Sequence, residues 1–151
     1  MKGTWNYLYR AVDKEGDTID FMLSPKRDES AAKAFFTKAI GSNGIPEKVT
    51  IDKSSVNLAG LNAINFQIAI LTLLGFSVMQ IQIRQMKYLN NIIEQDHRGI
   101  KRTINSMIGF KSFDSAASTL VGVELCHMLK KGQHLGAKNS PVFEEFYGLA
   151  A

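Results

Sequence analysis

Three short runs of β-forming residues each hand over to a longer run with helical spacing, and this order constrains the chain more than any other feature. Trp5 to Val12 is rich in aromatic and β-branched residues, and Thr18 to Ser24 alternates Ile19, Phe21 and Leu23 against Asp20 and Met22. Asp-Lys-Glu-Gly-Asp between them is a turn sequence, so the pair predicts a β-hairpin. Asp28 or Ser30 can cap a helix whose apolar positions Ala31, Ala32, Phe35, Phe36, Ala39 and Ile40 recur at helical spacing, ended by Gly41 to Pro46. Val49 to Ile51 is a short apolar strand with Asp52 at its C-terminal end, and a helix is expected from about Leu58 to Leu74. Val78, Ile81 and Ile83 suggest a further strand over 77–83. A third helix should start near Asn90 or Asn91 and run past Arg102. A fourth runs from about Phe113 to Lys130, capped by Ser112 or Asp114. The order ββαβαβαα predicts an α/β layered domain.

The length of 151 residues suits one domain with one core. Cys126 is the only cysteine, so neither an internal disulfide nor a cysteine-rich zinc site can form, which fits a reducing cytoplasm. The N-terminus, Met-Lys-Gly-Thr-Trp, lacks the apolar core of a signal peptide. The most apolar stretch, Ile68 to Met79, is interrupted by Thr72, Gly75 and Ser77. It is shorter than the ~20 residues that span a bilayer, so it reads as a buried element and no membrane partner is expected. Net charge is +4, compatible with a polyanionic partner. Its distribution says more: Arg84, Lys87, His97, Arg98, Lys101 and Arg102 cluster mid-chain, whereas the tail carries Glu144 and Glu145.

Two acidic positions carry candidate chemistry. Asp52 ends a strand, where ligand sites assemble in open α/β sheets. Glu94 lies early in a predicted helix, with His97, Arg98, Lys101 and Arg102 three, four, seven and eight residues further on, which places them on its face. Carboxylates hold Mg²⁺ and neighbouring cations hold a DNA backbone, as a metal-dependent phosphodiester enzyme requires. Each residue also has a plainer role. Glu94 and Arg98 form an ordinary i,i+4 ion pair worth ~0.3–0.5 kcal/mol, Asp52 is a turn or cap residue, and Lys101 and Arg102 are solvated. His97 has no second histidine at ligand spacing. Cys126 and His127, adjacent on a helix and so pointing ~100° apart, read as packing rather than as a nucleophilic pair.

The segments Trp5–Gly16, Ile19–Leu23, Ile51–Ser54, Arg84–Arg102 (Arg-Gln-Met-Lys-Tyr-Leu-Asn-Asn-Ile-Ile-Glu-Gln-Asp-His-Arg-Gly-Ile-Lys-Arg) and Gly109–Phe113 resemble the DDE transposases of insertion sequence family six. The resemblance runs from about Trp5 to about Gln133. It implies a ribonuclease H-like, integrase-type three-layer fold in which Asp, Asp and Glu bind two Mg²⁺ ions (or Mn²⁺) for phosphodiester cleavage and strand transfer. The matching positions are Asp52 for the second Asp and Glu94 for the Glu, both catalytic and metal-binding. Lys87, Arg98, Lys101 and Arg102 are the expected DNA contacts. The implied partners are transposon ends and target DNA, and a second copy or a full-length transposase. The expected location is the bacterial cytoplasm, at the nucleoid.

The resemblance also predicts departures. In the relatives the first Asp opens the strand before a Lys-Gly-x-Trp turn. Here that turn is Lys2-Gly3-Thr4-Trp5 and only Met1 precedes it, so the first strand is expected to be missing. The expected organisation is a truncated DDE domain over 1–133 and a C-terminal tail over 134–151, with weak metal binding and no activity by itself. Asp20 is the nearest stand-in for the absent ligand. Forty-one residues separate Asp52 from Glu94, several more than usual in the family, with the extra length around Ile68 to Phe76. The rival reading is a non-catalytic DNA-binding or inhibitory module derived from a transposase.

Overall fold

The computed structural model describes residues 6–86, 91–105 and 112–133. Lys87 and the tail 134–151 lie outside the described residues. The elements follow the expected order: β1 (Tyr7–Val12), β2 (Thr18–Ser24), α1 (Glu29–Asn43), β3 (Lys48–Ile51), α2 (Ser55–Leu73), β4 (Gln82–Gln85), α3 (Asn91–Asn105) and α4 (Phe113–Lys130). The chain forms two compact units, Met1–Ala11 with Ile19–Asn91, and Val12–Thr18 with Ile92–Ala151.

In the first unit, β1 and β2 pair in one two-stranded sheet and β3 and β4 in another. The second pair is parallel, with Lys48 opposite Gln82 and Ile51 opposite Gln85, and α2 supplies the crossover that parallel strands need. Helix α1 starts where the Asp28 side chain accepts the Ala31 amide and stops at Gly44, whose φ of +86° a side chain would resist. Ser54 caps α2 in the same way. The two helices meet so closely at Gly60 that a Cβ there would lie 3.0 Å from both the Ala32 Cβ and the Lys33 amide. Around this crossing the core gathers Ala32, Phe35, Phe36, Ile51, Leu61, Ile64, Ile68 and Ile81. Tyr9 stacks on Phe35 with ring centroids 5.6 Å apart, and burial pushes its phenol pKa up.

Two expectations need correction here. The strand expected over 77–83 forms at Gln82–Gln85, because the Asn65 amide takes both backbone groups of Ile81, at 2.9 Å each, and holds that residue just outside the ladder. The stretch Ile68 to Met79, read as a buried element, is mostly exposed. Ile68 is buried, but Ile70, Leu71, Leu73, Leu74, Phe76 and Met79 face outward. A helix that is apolar on two sides can bury only one of them against a single neighbour.

In the second unit, Val12–Thr18 closes the hairpin. Asp13 Oδ1 accepts the amides of Glu15 and Asp17, and Gly16 takes φ +90°. Helices α3 and α4 approach at Gly99, where a Cβ would lie 3.0 Å from His127 Cε1. One cluster ties the unit together. Asp96 Oδ1 lies 2.6 Å from His127 Nε2 and 3.0 Å from Lys131 Nζ. The same ammonium donates to Gly16 O and to Thr18 Oγ1, each at 2.9 Å. Gln133 grips the Thr18 backbone on both sides, accepting its N–H and donating to its carbonyl.

Candidate functional site

Asp52 sits one residue past β3 and is half-buried. Its Oδ1 accepts the Ser54 amide at 3.1 Å and Asn57 Nδ2 at 3.2 Å. The turn into α2 thus orients the carboxylate through one oxygen. The plainer role is realised: a turn carboxylate is held at the end of a strand.

Glu94 lies in the first turn of α3, where the positive end of the helix favours an acid. It is exposed, as are Arg98, Lys101 and Arg102, so the predicted acidic-basic stripe forms. His97, expected on the same face, is half-buried and belongs to the boundary of the stripe. The inner face carries Ile93, Asp96, Ile100 and Ile104, with Ile100 fully buried. Among the described residues Glu94 and Arg98 form no salt bridge, so the simple ion-pair reading of that spacing is not realised. Asp52 belongs to the first unit and Glu94 to the second. Both are carboxylates, the hard oxygen donors that Mg²⁺ prefers, so the donor type fits a divalent ion. Among the described residues no group of three or more His, Cys, Asp or Glu side chains comes together as a metal site.

One oxygen of Asp20 is engaged, while its buried Oδ2 has no hydrogen-bond partner among the described residues. Its Oδ1 lies 2.6 Å from Lys38 Nζ and accepts the Phe21 amide at 2.7 Å. Cys126 is exposed while His127 turns to Asp96, so these neighbours do not act as a pair. The Asp96–His127–Lys131 cluster escaped the sequence reading. Its signal was present in retrospect: Asp96 stands two residues from Glu94, on the opposite side of α3, and His127 and Lys131 are four apart on one face of α4.

A family model described as "DDE domain" matches residues 1–133. The chain belongs to the DDE transposases of insertion sequence family six. It is 38% identical over 132 residues to the transposase for insertion sequence-like element IS431mec of Staphylococcus aureus, covering 87% of this chain and 54% of that protein. The transposase for insertion sequence element IS257 in transposon Tn4003, also from Staphylococcus aureus, matches to the same extent. The chain therefore spans about half the length of these curated DDE relatives. No solved structure matches it. The mixed α/β architecture of four helices and two small sheets is consistent with a DDE domain. Divalent metal ions are the general requirement of the DDE transposases.

Proposed function

We propose that this chain is the catalytic portion of a transposase that cuts and joins DNA at the ends of an insertion sequence, acting in the bacterial cytoplasm as an oligomer. The observation that carries the reading is the Arg84–Arg102 segment. It matches the family, and its part within α3 (Asn91–Asn105) carries Glu94, Arg98, Lys101 and Arg102, all exposed. The fold proposed is ribonuclease H-like, on the strength of family membership.

Asp52 and Glu94 stand at the family's second Asp and its Glu and would supply oxygen donors to Mg²⁺ or Mn²⁺. When bound, the metals activate the attacking oxygen and stabilise the leaving one. Ser54 and Asn57 hold the Asp52 carboxylate in one orientation, which lowers the cost of ordering it around a ligand. Arg98, Lys101 and Arg102, and Lys87 before them, hold the phosphate backbone by charge and carry no base readout.

On this reading Asp52 and Glu94 are two of the three carboxylates that the chemistry needs, and no third is assigned within 1–151. Incubated with DNA bearing the element's inverted repeats and either metal, it is expected neither to nick nor to join. Fusing the Asp-bearing strand of a relative upstream of Lys2 is expected to restore cleavage, and Glu94→Ala to abolish it again. Strand transfer by 1–151 unaided would overturn the two-of-three carboxylate assignment, and restored cleavage indifferent to Glu94→Ala would overturn the role of Glu94.

A further inference from the structure

Helix α2 is apolar on two sides. Its inner side, Leu61, Ile64 and Ile68, is buried in the core beside α1. Its outer side, Phe66, Ile70, Leu73 and Leu74, recurs at i, i+4, i+7 and i+8 and continues into Phe76 and Met79. Leu73 is 88% exposed, Met79 79%, Phe66 68% and Phe76 60%. A soluble helix ordinarily carries polar residues on such a face, and a contiguous apolar patch marks a contact surface. Residues 54–83 contain no Asp, Glu, Lys, Arg or His, so nothing on this face attracts a nucleic acid.

We infer that this outer face of α2, with the turn through Phe76 to Met79, docks against the same face of a second copy of the chain. Phe66 and Phe76 together expose roughly 250 Å² if an aromatic side chain offers about 200 Å². Leu73, Leu74, Ile70 and Met79 bring the patch to several hundred Å², a large share of the ~800 Å² per partner that a stable interface buries. An uncharged face meets its own copy across a two-fold axis without like-charge repulsion, as an isologous contact requires. A lipid surface is the weaker fit. Ser55–Leu73 has the length and apolarity of a membrane span, but Leu61, Ile64 and Ile68 are core, and Asn65 is bonded to the Ile81 backbone. Bilayer insertion would dismantle both. The dimer gives a surface to the oligomer proposed above and rests on that reading for its role in transposition. The association itself is measured without DNA.

Sedimentation velocity on the purified chain across a dilution series is expected to show a monomer–dimer equilibrium with a plateau at the dimer. Leu73→Glu is expected to weaken it at least about 30-fold, the effect of losing an interface hot spot, with an unchanged circular dichroism spectrum. Met79→Lys, outside the helix, gives the same result without touching α2 and serves if Leu73→Glu does not fold. A chain that stays monomeric, one that grows without a dimer plateau, or a dimer indifferent to both substitutions overturns the proposal. So does a monomer that floats with vesicles of phosphatidylcholine and phosphatidylglycerol, which would make the face a lipid contact. Failure of the strand-fused chain to cleave DNA with the dimer intact would count against the transposition reading and leave the interface standing.

Discussion

Helices α2 and α3 solve the same problem in opposite ways. Helix α3 has one apolar seam, Ile93, Ile100 and Ile104, and opposite it a charged face of Glu94, Arg98, Lys101 and Arg102. Its pattern therefore states which side is wet. Helix α2 is apolar on both sides, and its sequence does not say which side is core. On the filled side α1 lies so close at Gly60 that a Cβ there would meet Ala32 and Lys33 at 3.0 Å. The comparison teaches that periodicity identifies an apolar face, while the backbone contact that a small residue permits decides whether the face is filled from within the chain.

Three variants test that contrast. Leu61→Ala, on the filled face of α2 where the side chain is fully buried, should cost about 2–5 kcal/mol of stability, read from the urea midpoint. A loss under ~1 kcal/mol would mean the two faces of α2 are equivalent. Lys131→Met removes the ammonium that joins Asp96 to Gly16 and Thr18, leaving a nearly buried carboxylate with one partner fewer. It should cost about 1–3 kcal/mol, and hydrogen exchange should rise in Val12–Thr18 before it rises in α1. Exchange unaltered in that turn would show that the cluster does not hold it. Lys101→Ala with Arg102→Ala, on the wet face of α3, should change stability by less than ~0.5 kcal/mol. The same pair should flatten the dependence of DNA affinity on salt by about one to two units, roughly one per lost phosphate contact. An unchanged slope would return both residues to plain solvation.

The order of elements was legible because local chemistry marks helix starts: Asp28 and Ser112, both expected as caps, cap α1 and α4, whereas Ser54 caps α2 ahead of the start expected near Leu58. The candidate carboxylates were legible through the family motif, and the exposure of Glu94 follows from the amphipathic pattern of α3. What failed was non-local. The position of β4 depends on its register with β3 and on the hold of Asn65 on Ile81, neither of which a run of apolar residues between Phe76 and Ile83 reveals. The exposure of Leu73 and Phe76 escaped for a related reason, since apolar character does not state whether a partner exists. Asp96 was hidden by its neighbour: within Glu-Gln-Asp-His-Arg the acid that turns inward looks no different from the one that turns out.

The hold of Lys131 and Gln133 on Gly16 and Thr18 joins residues 113 to 115 positions apart. Such a contact is slow to find and cannot form before both ends exist. At roughly 5–20 residues per second, a ribosome that has completed Thr18 needs on the order of 10 s to complete Lys131. Throughout that interval the hairpin turn has its own hydrogen bonds through Asp13, while α1, β3 and α2, all complete by Leu73, can already assemble their core. The second unit is then the last to close during synthesis, and the region carrying Glu94 matures only as α4 is finished.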